Sequence, residues 1–382
     1  MARHIARIGS VAEMRARALA VLPRPVFDFA DGGAEDERTL RRNEEGFAAL
    51  SLLPRPLNGA AERDLSLTLF GRQLALPVAI GPVGLAGLFW PDGEREAARA
   101  AASAGTAICL SHASVCTLER FAETGTEPRW MNVYIYRDRG FTRELAERAA
   151  QAGYEALVLT IDNQLLGNRD RDRRNGFTIP PRLTVGSLAR MAGKGSWLWR
   201  MRGEFSRITF GNYVRAGERE NVATLAQRMG SLLDPGMSWR DVEELRRIWK
   251  GKLLLKGVLH PAEALAAVAS GVDGIVVSNH GGRQLDGAPA SIDALPAIVA
   301  ATGGKLAVLL DGGVRRGADV VKALALGANA CLIGRPWLWG LAAGGEAGVA
   351  RVLELFRSEI DRVMGLCGVS RLGEISPELL FR

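Results

Sequence analysis

Cysteine and histidine are both scarce in this chain, with four of each in 382 residues. Cys109, Cys116, Cys331 and Cys367 show no metal-ligand or redox-motif spacing, so neither a disulfide framework nor a metal site is expected. Cys109 and Cys331 stand inside apolar runs and read as small buried hydrophobes, which suits a reducing cytosol better than secretion. Long apolar runs are missing too. None approaches the length that spans a membrane, and the stretch up to Pro25 lacks the continuous apolar core of a signal peptide. Ser10 and Glu13 instead have capping-box spacing and predict a short amphipathic helix ended by Pro23. The net charge of +7 permits a nucleic acid, an anionic membrane or an acidic substrate as partner. No nucleic-acid module accompanies it, and no basic helix interleaved with base-stacking aromatics, so nucleic acid is not expected.

What the chain does have is a repeat. From residue 76 onward short apolar runs alternate with alanine-rich segments of helical period. The runs are "LPVAIG" from Leu76, "TAICLS" from Thr106, "WMNVYIY" from Trp130, "ALVLTID" from Ala156, "LLLKGV" from Leu253, "GIVVSN" from Gly274, "LAVLLDGG" from Leu306 and "ACLIGRP" from Ala330. Apart from one gap, they recur at the spacing of βα units. Strands that are apolar throughout imply a parallel sheet covered on its outer face. Eight units predict a (β/α)8 TIM barrel in a single domain, 1–382, with an N-terminal helical segment and a long insertion after the fourth strand, at 178–236.

Such a barrel places its chemistry at the C-terminal strand ends. Those ends read Gly81-Pro82, Ser111, Asn132 with Tyr134, Thr160 with Asp162, Lys256, Ser278 to His280, Asp311 to Gly313, and Gly334-Arg335. Every strand delivers a polar group or bare backbone to one rim. "DGGVRRG" and "IGRP" close the last two strands, and their glycines, with Arg315 and Arg335, suit a phosphate at a helix N-terminus; tight turns alone are the alternative. Lys256 ends an apolar strand, where a cation needs a partner: an electron-rich ring, a Schiff base or a carboxylate. Arg169 and Arg283 follow the fourth and sixth strands and suit a substrate carboxylate, each contributing about 1.5–3 kcal/mol. The run "NRDRDRRN" around Arg169 also reads as a solvated charge cluster. Of the histidines, His4 lies in a terminus, His260 begins a helix and His112 has no evident partner. His280 alone combines a strand end, two glycines and a nearby arginine, with Asp162 across the rim to orient it as a general base.

"SNHGGRQLD", "LLDGGVRRGADVVKALALGA" and "IGRP" resemble the FMN-dependent 2-hydroxy acid oxidising family, and the likeness runs from "FDFADGGAEDERTL" at residue 27 to "GVSRLGEIS" near the end. The segment "DPGMSWRDVEELRRIW" is most similar to the mandelate dehydrogenase branch. The resemblance implies that His280 takes the substrate proton, with Asp162 supporting its imidazolium. It gives Arg169 and Arg283 the carboxylate, Tyr134 the substrate oxygen, and Lys256 the reduced flavin. Pro82, Val83, Gly84, Ser111, Asn132, Thr160 and Ser278 would bind the flavin ring or ribityl chain. Asp311, Gly313, Arg315, Gly334 and Arg335 would hold the ribityl–phosphate end. It also implies a homotetramer on the inner face of a bacterial cell membrane, passing electrons to a quinone or another carrier.

Departures from the family pattern bear on the substrate. Phe29 replaces a tyrosine, Asn132 a glutamine and Val83 a threonine. Ala113 stands where glycolate oxidase has a tryptophan, and Gly84 adjoins the flavin, so a bulky or aromatic (S)-2-hydroxy acid such as mandelate is expected over glycolate. Lactate, or electron transfer to O2, is the alternative. Within the insertion, Trp197, Trp199, Phe205 and Phe210 lie among Lys194, Arg200, Arg202, Arg207 and Arg215. Mixed aromatics and cations over 190–215 suit a peripheral membrane contact; a lid or subunit contact is the other possibility. Two further readings are another phosphate-binding barrel, such as an isomerase, and a membrane-bound barrel without chemistry. The first leaves Arg169 and Arg283 unexplained, and the intact rim set weighs against the second.

Overall fold

Each apolar run forms a short strand, and the eight close into one parallel barrel. They are β1 Val78–Ile80, β2 Ile108–Leu110, β3 Arg129–Val133, β4 Ala156–Thr160, β5 Lys252–Val258, β6 Gly274–Val277, β7 Ala307–Leu310 and β8 Ala330–Ile333. The computed structural model describes residues 2–175, 192–205, 207–213 and 232–381. Closure falls between β8 and β1, where Cys331 pairs with Val78 and Ile333 with Ile80.

Alternation along each strand divides the apolar side chains into two cores. Ala79, Cys109, Trp130, Val158, Leu254, Val276, Leu309 and Leu332 fill the barrel. Their neighbours Ile80, Leu110, Met131, Leu159, Leu255, Val277, Leu310 and Ile333 pack outward beneath the helices. A hairpin, Leu67–Leu69 with Arg72–Leu74, plugs the N-terminal mouth. Its Phe70 meets Trp130 edge-on at 5.9 Å and lies against Gly274, the first residue of β6. Following the interior parity past the strand ends brings Gly81, Ser111, Asn132, Tyr134, Thr160, Lys256, Ser278, Asp311 and Gly334 to the opposite mouth. The same period that fills the core therefore delivers the polar set.

N-terminal helices complete the frame, the three longer of them after a short turn of helix at Ala2–Ile5. Ser10 caps Val11–Val21 by accepting the Glu13 amide at 3.2 Å, as its spacing predicts. Helix Arg24–Asp31 carries Phe29 and Ala30 to the barrel mouth. Helix Arg38–Ala49 docks on the loops after β6 and β7: the Asn43 and Asn279 amides exchange hydrogen bonds at 2.8 and 2.7 Å.

Of the insertion expected over 178–236, residues 178–191, 206 and 214–231, Arg215 among them, lie outside the described residues. Helix Gly195–Met201 and the segment 207–213 are described. The latter is bound to the barrel, since Asn212 accepts the Leu118 amide at 2.8 Å and donates to the His112 carbonyl at 3.1 Å. The four aromatics expected at a membrane surface divide here. Trp197 and Phe210 are buried in the protein, while Trp199 is 70% and Phe205 42% exposed. The burial has a plain cause: Trp197 packs edge-on Phe205, and Phe210 packs on Tyr213.

One irregularity in the barrel matters for the site. The β5–β6 register shifts between Lys256 and Val258, and the intervening Gly257 has φ +108. A Cβ there would lie 2.7 Å from the Cβ of Asp162. Gly257→Ala is therefore expected to lose more than about 1 kcal/mol of stability. A urea midpoint that falls at unchanged m would report it.

Candidate active site

At the C-terminal mouth the strand ends surround a cavity of about 290 Å³, reaching from Phe29 and Tyr134 at one side to Gly313, Gly334 and Arg335 at the other. That is close to the lower end of the range for small-molecule and cofactor sites, about 300–1,000 Å³. Its base is a chain of charge-assisted contacts. Lys256 Nζ lies 2.9 Å from Asp311 Oδ2 and donates to Ser278 Oγ at 2.9 Å. Ser278 Oγ also accepts the His280 amide at 3.0 Å. Burial would discharge Lys256, but Asp311 and Asp162 overrule it and hold its pKa above the ordinary lysine value.

His280 sits in the left-handed region, φ +58, and Gly281 and Gly282 continue it. Three successive residues at positive φ turn the chain back at once after β6, and only the glycines do so without strain. Gly282 also needs the room: a Cβ would lie 2.5 Å from the Leu40 amide nitrogen. The turn presents the His280 ring to Asp162, with Nδ1 to Oδ1 at 2.8 Å. Burial lowers the His280 pKa below the ordinary value, and Asp162 pulls it back up. For Asp162, burial is outweighed by the charge and hydrogen bond of His280, and the carboxyl is held below its usual range. The resting pair is a neutral imidazole beside a carboxylate, which is the form a general base requires.

Two guanidiniums line the same cavity as His280. Arg283 donates to the carbonyls of Phe29 at 2.8 Å and Gly32 at 2.9 Å, and lies over the Phe29 ring at 5.4 Å. The Arg169 guanidinium makes no hydrogen bond to the described residues, and its Nε is buried without a partner. Burial lowers the pKa of both, and the charge of Arg169 lowers that of Arg283 further. Two desolvated like charges with unmet donors favour an anion between them. Tyr134 lines the same mouth, with its hydroxyl unbonded to the described residues.

The remaining expected residues are brought together as well. Asn132 donates to Thr160 Oγ1 at 2.7 Å and the Val158 carbonyl at 3.0 Å, and Ser111 Oγ accepts the Ala113 amide at 3.2 Å. Pro82, Val83, Gly84 and Ala113 form one wall, and a Cβ on Gly84 would lie 3.1 Å from that of Ala113. Gly313 has no space for a side chain, since a Cβ would fall 2.1 Å from the Asn43 carbonyl oxygen. Arg315 pairs with Glu44 at 3.0 Å and lies 5.1 Å from the Trp339 ring.

Arg335 reaches the cavity and is also held by backbone carbonyls. Its nitrogens donate to the carbonyls of Ala30, Asp31, Gly32 and Gly281 at 2.8–3.2 Å, so it ties helix Arg24–Asp31 to the histidine loop. Burial, with Arg315 nearby, lowers its pKa to about 10.

Sequence reasoning missed several participants. Gln284 donates to the Asp162 and Leu165 carbonyls at 2.9 and 2.8 Å, tying the loop after β4 to that after β6. Its place beside Arg283 was the only signal. Leu166 lines the cavity without any local mark, and Phe210, expected at a membrane surface, lines it as well. His112, expected to lack a partner, has two tyrosine hydroxyls on Nδ1: Tyr213 at 2.5 Å and Tyr136 at 2.8 Å.

Residues 18–382 match the family described as FMN-dependent dehydrogenase. The chain belongs to that family. An L-lactate dehydrogenase of Caulobacter sp. (strain K31) is 45% identical over 98% of this chain and 98% of its own length. An L-lactate oxidase of a Nostoc strain is 45% identical over 94% of each. Among solved structures, the monotopic membrane protein (S)-mandelate dehydrogenase superposes with a TM-score of 0.94 at 36% identity, covering 98% of this chain and 99% of that one. FMN suits the cavity. Asp311 Oδ1 is a buried acceptor with no partner among the described residues, Lys256 is a fixed cation, and Gly313 and Gly334 leave backbone bare where a phosphate would need N–H groups.

Asp162 raises the His280 pKa, so its loss acts in one direction. Asp162→Asn should move the acid limb of the kcat/KM profile to lower pH, because His280 then gives up its proton more readily. The same change should lower kcat by about 10²–10⁴-fold, the usual contribution of a general base. An acid limb at unchanged pH would detach Asp162 from the base.

Proposed function

We infer that this protein uses FMN to oxidise an (S)-2-hydroxy acid to the 2-oxo acid. The observation that carries the reading is the convergence of His280, paired with Asp162, and of Arg169 and Arg283 on one cavity. Arg169 and Arg283 clamp the carboxylate, and Tyr134 binds the substrate oxygen. That pose brings the substrate within reach of His280, which takes its proton while Asp162 stabilises the imidazolium. Bound FMN supplies the two-electron acceptor. Lys256, held charged by Asp311, offsets the negative charge that arrives with those electrons. Ser111, Asn132, Thr160 and Ser278, with the backbone of Pro82 to Gly84, are assigned to the ring and ribityl chain. Asp311, Gly313, Arg315 and Gly334 are assigned to the ribityl–phosphate end, with Arg335 in support. Anaerobic mixing of the FMN-loaded protein with (S)-mandelate, (S)-lactate and glycolate should bleach the flavin absorbance. Bound flavin that none of the three bleaches would overturn the substrate assignment.

The substrate wall favours bulk. Phe29, Val83, Ala113, Leu166 and Phe210 give it an apolar lining, and Gly84 and Ala113 keep it open. A large or aromatic C2 substituent fits, so mandelate is preferred. The names of the curated relatives favour lactate as the second reading. Ala113→Trp should lower kcat/KM for mandelate about 100-fold or more relative to lactate, as a filled pocket rejects the larger group. Equal losses on both substrates would argue against this wall as the determinant.

A quinone or another carrier is assigned as acceptor, and a homotetramer on the inner face of a bacterial membrane as the working state. No helix among the described residues is long and apolar enough to cross a membrane. Exposed Trp199 and Phe205, with Arg202 4.3 Å from the Trp199 ring, support a peripheral contact, as does the likeness to a monotopic membrane protein. The protein should sediment with anionic vesicles at low salt, and Trp199→Ser with Phe205→Ser should reduce that binding. Full solubility in the presence of the vesicles would exclude the contact.

A further inference from the structure

A buried hydrogen-bond cluster stands behind Tyr134, and no role above uses it. His112, just beyond β2, Tyr136, beyond β3, and Tyr213, from the insertion, meet at one point. His112 Nδ1 lies 2.5 Å from the Tyr213 hydroxyl and 2.8 Å from that of Tyr136, and the two hydroxyls bond each other. Burial holds the imidazole neutral, with its pKa down to about 3, and His280 adds to the effect. A neutral ring protonated on Nε2 leaves Nδ1 as an acceptor. One tyrosine then donates to Nδ1 and the other to its neighbour's oxygen, so both O–H donors are satisfied within the cluster.

The His112 ring is also 3.7 Å, centre to centre, from the ring of Tyr134. Phe141 packs on both Tyr136 and Tyr213 at 5.2 Å, closing the cluster on its far side. The neighbouring residue Asn212 anchors the Tyr213 segment by donating to the His112 carbonyl and to Ser114 Oγ at 3.0 Å. Tyr134 itself has no hydrogen bond at its hydroxyl to the described residues, so that tip is set by how the ring is held.

We propose that His112 and Tyr213 are positioning residues: the insertion, through Tyr213, locks His112, and the face of His112 holds the Tyr134 ring at the angle that aims its hydroxyl at the substrate oxygen. This rests on the reading of Tyr134 as the ligand of that oxygen. A hydroxyl at the end of a rigid ring magnifies any tilt, and a misplacement of about 1 Å can cost 10²-fold in rate.

The test is a double-mutant cycle on the FMN-loaded protein. Tyr213→Phe removes one hydroxyl and keeps the ring packing. It should lower kcat/KM for the 2-hydroxy acid about 10-fold, and weaken binding of the 2-oxo acid product, read as a flavin absorbance shift, by a similar factor. In a Tyr134→Phe background the same change should cost less than about 2-fold, because there is no hydroxyl left to aim. Equal losses in both backgrounds, or no loss in either, overturn the proposal. His112→Asn, which keeps an acceptor near the Nδ1 position, against His112→Leu is the second arm. Activity retained by Asn and lost by Leu supports positioning, and equal activities oppose it. If wild-type protein binds and oxidises no 2-hydroxy acid, the substrate reading fails and this proposal falls with it. Wild-type turnover with an additive cycle sinks the proposal alone.

Discussion

Charge inside a barrel mouth is tolerated only when it is partnered, because each desolvated ion otherwise costs several kcal/mol. Much of the site follows from that constraint. Lys256 keeps its proton because Asp311 and Asp162 face it. Asp162 keeps its charge because His280 and Lys256 face it in turn. His280, held between a carboxylate and two cations, rests neutral without losing its basicity altogether. Arg169 and Arg283 feel the charge of Asp172, but burial still lowers the pKa of both, and the proposed function sets the substrate carboxylate there. Under the proposed function, the counter-ion that completes this side is the substrate's own.

The N-terminal helices are part of this arrangement, even though they lie outside the barrel. The last carbonyls of helix Arg24–Asp31 and the residue after it receive Arg283 and Arg335. These cations meet the negative end of a helix dipole, a partner that neutralises them only in part. Arg283 is thereby fixed in direction and remains attractive to an anion. The same contacts lay Phe29 along the cavity wall. The insertion does the corresponding work on the other side, with Phe210 in the lining and Tyr213 in the cluster behind Tyr134. The N-terminal helices and the insertion both come from outside the βα repeat, and both line the cavity.

Much of this was legible before folding was considered. The barrel was announced by eight apolar runs at regular spacing, and the strand-end rule then named nearly every polar group at the mouth. His280 stood out by elimination, since no other histidine had a strand end, glycines and an arginine together. His112 was set aside because its two partners, Tyr136 and Tyr213, lie 24 and 101 residues away. Arg335 was read from its glycine neighbour as a phosphate ligand, and its nitrogens also hold carbonyls 54 and about 300 residues distant, which no local pattern shows. The aromatics of the insertion looked equivalent in composition, yet Trp197 and Phe210 are interior and Trp199 is not.

Sequence alone therefore determined the barrel, the interior parity of its strands, the ends that carry chemistry and the family pattern around His280. All of these are set by local periodicity and by the order of residues along one strand and its turn. Tertiary structure decided which arginines remain available to an anion, which aromatics face solvent, and what stands behind Tyr134. Those outcomes depend on contacts between segments far apart in the chain, where burial and the choice of hydrogen-bond partner follow only from closure of the barrel and docking of the N-terminal helices and the insertion upon it.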